Sequence, residues 1–261
     1  MAKLKHFKIL KIKHFVVFVT IVFFASCKEA PKTLSRIEGK KIAIDSTSQE
    51  IAVVKDFINP YHNRVNAILD STLAYAPYKI SKTDGVYNTT AGNLMADIIL
   101  SEAQPIFKKR TGNDIDFVLM NHGGIRSIIS KGNVSARTAY EVMPFENSIA
   151  VVELDGESIL EMVHYVITSK RAHPLGGIQV ILNMDSSIHS IKIQGKPFNI
   201  DEHYYIATSD YLVSGGDDMV FFKNALSVTD IDYKIRNAMI DYFSKVDTLS
   251  PKVDNRYYKL D

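Results

Sequence analysis

Phe117-Val118-Leu119-Met120, running straight into Asn121-His122-Gly123-Gly124-Ile125-Arg126, is the stretch that decides how this chain is read. Four consecutive apolar residues have the length and composition of a buried strand. The glycine-rich turn after them allows close backbone approach, and its peptide N–H groups can face an anion. Arg126 adds a rigid fork of donors suited to phosphate or carboxylate. Further on, Val142-Met143-Pro144-Phe145-Glu146-Asn147 leads into a second strand candidate at residues 149–154. On the residues alone, an anion or nucleotide pocket and a purely structural turn with a surface arginine are both open readings.

Upstream, Ile51, Val54, Ile58, Tyr61, Val65, Ile68, Leu69 and Leu73 recur three or four apart, which predicts a helix over residues 49–75. Pro60 is expected to kink or divide it. Thr90-Ala91-Gly92-Asn93 opens another helical pattern, expected to end before Pro105. Downstream, a helix is expected over 157–169 and strands over 178–182, 188–193 and 204–208. The last of these runs into Tyr211-Leu212-Val213-Ser214-Gly215-Gly216-Asp217-Asp218, a second strand-then-Gly-Gly turn that carries acids instead of an arginine. A final amphipathic helix is expected over 230–246, followed by a polar, aromatic tail, 247–261. Helices and strands mix without strict alternation, which predicts an α+β fold: one mixed-sheet domain over 49–246, preceded by the kinked helix.

The N-terminus stands apart. Lys3, Lys5, Lys8, Lys11 and Lys13 precede an apolar run, residues 15–25, that is short for a bilayer span. It ends Phe24-Ala25-Ser26-Cys27, small residues before the one cysteine of the chain. This resembles a bacterial lipoprotein signal over residues 1–27, with Cys27 lipidated and residues 28–48 as a tether; a plain secretory signal or an uncleaved anchor is the alternative. The formal charge of the whole is +2, and without residues 1–26 it is −3. The basicity therefore belongs to the signal, and no basic stripe interleaved with aromatics points to nucleic acid. One cysteine permits neither a disulfide framework nor a cysteine-based metal site. Neither a P-loop nor a Gly-x-Ser-x-Gly elbow is present.

Three stretches in order carry a more specific likeness. Gly92-Asn93-Leu94-Met95-Ala96-Asp97, Asn121-His122-Gly123-Gly124-Ile125-Arg126 and Tyr211-Leu212-Val213-Ser214-Gly215-Gly216-Asp217 resemble the motifs of the C-terminal, substrate-binding domain of 5′-nucleotidases. Pro144-Phe145-Glu146-Asn147 sits where that family has Pro-Phe-Gly-Asn. The resemblance covers roughly residues 50–246 and implies roles. Phe145 and Tyr211 would stack on a nucleobase, Asp217 would accept from ribose hydroxyls, and Arg126 would hold phosphate beside Asn121. Gly123, Gly124, Gly215 and Gly216 would permit close backbone approach.

Two departures stand out. The family's second phosphate-binding arginine has no counterpart in residues 84–89, where Lys79 or Lys82 would have to substitute, and His122 replaces the first loop glycine. Family enzymes also hydrolyse with a metallophosphoesterase domain that holds two metals. Its motifs are not found here, and His62, His164, His173, His189 and His203 are scattered. The expectation is a nucleotide-binding chain with no catalytic residue and no metal ligand of its own. It would work with a separate metallophosphoesterase that supplies divalent metals. A non-catalytic surface lipoprotein that binds nucleosides is the competing reading.

Overall fold

The computed structural model describes residues 2–25, 33–45 and 47–261, so the expected lipid attachment point, Cys27, lies outside the described residues. The chain forms two units, Met1–Ala52 and Val53–Asp261. The first contains helix α1 (Ala2–Ala25). Among the described residues, no helix is long and apolar enough to cross a membrane.

The second unit opens on α2 (Ala52–Leu69), then β1 (Thr72–Ala76) and α3 (Thr90–Thr111). Next come β2 (Phe117–Leu119), a 3-10 turn at His122–Gly124, β3 (Gly132–Ser135), α4 (Ala136–Val142), β4 (Ser148–Asp155) and α5 (Gly156–Ser169). Strands β5 (Leu175–Gly176), β6 (Ile178–Leu182), β7 (Ile188–Ile193), β8 (Lys196–Pro197) and β9 (His203–Ser209) follow. The chain ends with α6 (Asp210–Val213), β10 (Ser227–Lys234), α7 (Ile235–Lys245) and β11 (Tyr257–Lys259).

The fold is α+β, but its strands form three sheets. The central five-stranded sheet has the order β10-β4-β9-β2-β5 and is mixed: β2 and β9 are parallel, and the other neighbours are antiparallel. Both its faces are buried. Val118, Val151 and Ala207 face a core with α3, α4 and α7, while Phe117, Leu119, Val152 and Ile206 face one with α5 and β6. This two-sided burial explains the unbroken apolar run of the opening stretch. Each such side chain contributes about 1.5–3 kcal/mol by leaving water.

Several expectations are corrected. Pro60 does not divide α2, which runs continuously past it. Asp56, whose carbonyl loses its helical partner to the proline, lies on an exposed turn where water can take the bond. The helix stops at Leu69, because Thr72–Ala76 pairs antiparallel with β3 and buries Ala74 and Ala76 with period two. α3 passes through Pro105, held by the buried Ala103 and Phe107 on either side, and ends at Gly112 in the left-handed region (φ 82°). Residues 230–234 are strand rather than helix, since β10 hydrogen-bonds along the edge of β4. The tail is part of the fold: β11 pairs parallel with β6, and Tyr257 is buried.

Candidate functional site

Strand directions bring the site together. β2 and β9 are parallel neighbours, so the loops that follow them leave the same end of the central sheet. β4 runs antiparallel to β9 with Ile149 opposite Ser209, so the approach to β4 arrives at that end too. Loops beyond the carboxyl ends of strands are where open sheets gather ligands. Three segments far apart in sequence, 121–126, 145–147 and 211–217, thus meet around a cavity of about 260 Å³.

Asn121, Gly123, Gly124, Arg126, Phe145, Tyr211 and Asp217 line this cavity, together with Asn147. Gly215 and Gly216, expected beside them, do not line it. They shape the turn instead. A Cβ on Gly216 would lie 2.4 Å from the ring of Tyr211, so that ring can rest on the turn only if residue 216 has no side chain. Phe145 and Tyr211 remain 39% and 44% exposed, so each ring keeps a face open to the cavity they both line.

Asp217 is the most constrained member. Its backbone is left-handed, with φ 51°. The Tyr165 hydroxyl donates to its carbonyl at 2.6 Å. Its carboxylate accepts from Asn121 Nδ2 at 2.7 Å and from the Tyr211 hydroxyl at 3.1 Å. Strain of this kind in a non-glycine residue persists only where several contacts hold it.

Cations gather at the other side of the loop. The Arg126 guanidinium lies 5.8 Å from the Phe145 ring centroid. Of the two lysines considered as substitutes for the missing arginine, Lys82 is the one on this loop: its Nζ donates to the Ile125 carbonyl at 2.6 Å. Burial, and then the charges of Arg126 and Arg171, hold Lys82 below the usual lysine range. Burial likewise lowers His122, whose Nδ1 contacts the Ala172 carbonyl at 3.2 Å. Arg171 also lines a neighbouring cavity of about 340 Å³ on the other side of Asp217, with Tyr165, Ser169 and Asp218.

Supporting residues outside the motifs fix the loops. Glu146, standing where the family glycine is expected, forms an ion pair with Arg236 of α7. Arg236 also donates to the Phe145 carbonyl at 3.3 Å and lies over the Tyr140 ring. His173 Nδ1 accepts from the His122 N–H at 3.2 Å. The Gly92–Asp97 motif, by contrast, is structural. Asn93 donates to Asn88 and to the Lys252 carbonyl, and Asp97 pairs with Arg256. Sequence reasoning missed Tyr165, Arg171, His173 and Arg236, which belong to no motif. Asn147 lay within the Pro144–Asn147 motif and was readable there.

A family model described as 5′-nucleotidase, C-terminal domain matches residues 72–224, more than half of the chain. The chain belongs to the 5′-nucleotidase C-terminal domain family. Cell wall protein Lmo0130 of Listeria monocytogenes is 28% identical over 238 residues, covering 77% of this chain and 30% of that protein. The 5′-nucleotidase of Vibrio parahaemolyticus is 26% identical over 194 residues, covering 68% of this chain and 33% of that one. The chain therefore spans about a third of these relatives. Among solved structures, the 5′-nucleotidase precursor of Thermus thermophilus superposes with a TM-score of 0.66 at 22% identity, over 80% of this chain and 43% of that one. That superposition shows the shared fold of this 5′-nucleotidase C-terminal domain.

Proposed function

We propose that the cavity binds a nucleotide and that this chain is the substrate-holding part of a 5′-nucleotidase-type phosphohydrolase. The observation that carries this reading is the meeting of two open aromatic faces, a braced carboxylate and an arginine around one cavity, with Asn121 and Asp217 drawn together from 96 residues apart. The base stacks on Phe145 and Tyr211, ribose hydroxyls donate to Asp217, and the phosphate lies toward Arg126 and Lys82, with Asn121 beside it. Stacking tolerates any base, because every base has a π-face.

Among the described residues, no group of three or more His, Cys, Asp or Glu is placed to hold a metal ion. The described residues do not fit the two-metal centre of the family's enzymes. Hydrolysis falls to a separate metallophosphoesterase chain that brings the divalent metals. Export as a lipoprotein through Cys27, with the domain held at the cell surface or in the periplasm, rests on residues 1–27; the Listeria relative's name, a cell wall protein, is consistent with it.

The absence of an arginine from residues 84–89 favours a second reading, a surface protein that binds nucleosides without catalysis. Calorimetry with AMP and adenosine separates the two. The nucleotidase reading expects AMP to bind more tightly than adenosine. Arg126→Ala should weaken AMP about tenfold and leave adenosine unchanged, as loss of a charge-assisted hydrogen bond does. Phe145→Ala should weaken both by about 1–3 kcal/mol. Tighter binding of adenosine would move the assignment to the nucleoside-binding reading.

A further inference from the structure

A second cavity, of about 450 Å³, shares no lining residue with the one that gathers the motifs. The end of α5, β6, β11 and the segment before α3 meet around it. Its floor is apolar: Val166, Leu182 and Tyr257 are buried, and Ile167 is half-buried. The Tyr87 ring packs edge-on against Tyr257, with centroids 5.1 Å apart. Neither tyrosine hydroxyl has a hydrogen-bond partner among the described residues.

Positive charge borders this floor. Lys170 and Arg171, exposed and directly after α5, both line the cavity. Among the described residues, neither side chain makes an ion pair or a hydrogen bond. Arg171 also lines the neighbouring cavity with Asp217 and Asp218, yet it pairs with neither. Lys259 adds a third cation, its Nζ donating at 3.1 Å to the Oγ of Ser186, another lining residue. Lys170 ends α5 in left-handed backbone, with φ 51° and ψ 32°. Helices commonly place glycine in this conformation, and a lysine there is strained. Strain kept in a residue with no internal partner is explained by a partner that arrives from outside.

Two adjacent unpaired cations beside an apolar cavity of small-molecule size define the ligand's chemistry. We infer that this cavity binds an amphipathic organic anion, a flat apolar body that carries one carboxylate or phosphate. The body lies on Val166, Ile167, Leu182 and the tyrosine pair, where its apolar area leaves water. The anionic group meets Lys170 and Arg171, a point charge and a planar fork, through charge-assisted hydrogen bonds. A bare small anion forgoes the apolar contact, and a neutral body leaves both cations unused.

The inference does not depend on the nucleotide reading, and the test keeps the two apart. 2-Naphthoate and 2-naphthyl phosphate are titrated calorimetrically into the full chain, with 2-naphthylmethanol as the neutral body and acetate as the bare charge. Saturable binding of one or both naphthyl anions is expected, and the tighter one identifies the anionic group that the cavity takes. The neutral alcohol should bind about tenfold more weakly, and acetate should give no saturable signal. Lys170→Gly, which relieves the left-handed strain, and the surface change Arg171→Gln should each weaken the anion about fivefold. Excess AMP should not displace it. Displacement by AMP would move the probe to the nucleotide cavity and overturn the inference. So would an alcohol that binds as tightly as the anions, unchanged affinity in both variants, or no binding of either anion.

Discussion

His173 is 1% exposed, and burial pushes its imidazole down to about 4. Its Nδ1 accepts from the His122 N–H, so the neutral ring carries its proton on Nε2, a buried atom with no partner among the described residues. In the unfolded chain the same ring titrates near 6.5. Between about 4 and 6.5 the unfolded state therefore binds a proton that the folded state does not, and stability rises with pH across this window. The contribution is complete above about 6.5, is lost as the pH falls toward 4, and amounts to about 3 kcal/mol. Urea denaturation at pH 7 and pH 4.5 should show this slope in the unsubstituted protein and a flatter one in His173→Gln; equal slopes would contradict it. At this scale the sequence was most legible where a residue's chemistry is its own. Arg126, Phe145, Tyr211 and Asp217 have side chains that announce an anion, a stack or an acceptor, and the cavity gathers all four. Lys82 could be named but not chosen over Lys79, because only a hydrogen bond across 43 residues distinguishes them. Tyr165 reads in the sequence as one more helical residue, since nothing local says that its hydroxyl reaches residue 217.

α2 shows what periodicity does and does not convey. The three-and-four spacing identified the helix, yet none of its residues is buried, and the exposed rings of Phe57 and Tyr61 lie beside each other with centroids 5.8 Å apart. The pattern reports an apolar stripe but not what covers it. What ties α2 to the domain is polar: Arg137 of α4 pairs with Asp70 and donates to Asn66 at 2.7 Å. Replacing Phe57 and Tyr61 by serine should therefore change the free energy of unfolding, measured by chemical denaturation, by less than about 0.5 kcal/mol, as for other exposed sites. The C-terminal segment is the reverse case. Its composition read as a polar, aromatic tail outside the domain, but Asn88 holds the carbonyls of Asp254 and Tyr257, and Arg256 joins Asp97, Asp254 and the Leu175 carbonyl. Apart from the Arg256–Asp254 pair, these partners lie some eighty to a hundred and seventy residues apart in sequence, where no local pattern reaches. Arg256→Ala should cost about 2 kcal/mol in the same measurement: it leaves a buried carbonyl unpaired, while both carboxylates can still reach water.

For the molecule as a whole, sequence reasoning reached the α+β class and the family, but not the division of strands into three sheets. Register and strand order are set by pairing between segments whose local signals are alike. That pairing also makes the site. Because β2 and β9 are parallel and β4 runs against them, a glycine loop, an aromatic loop and an acidic turn open at one end of one sheet. Nothing among the described residues adds a metal-holding cluster there. On the proposed reading, the chain holds a nucleotide without cutting it. The most direct test titrates AMP into the purified full chain in the presence of a divalent metal, following tyrosine fluorescence and inorganic phosphate together; the chain has 13 tyrosines and no tryptophan to mask the signal. The predicted result is saturable quenching, lost in Tyr211→Ala, with phosphate at the level of a protein-free control. Steady phosphate release by the chain alone, or no saturable response to any nucleotide, would contradict it.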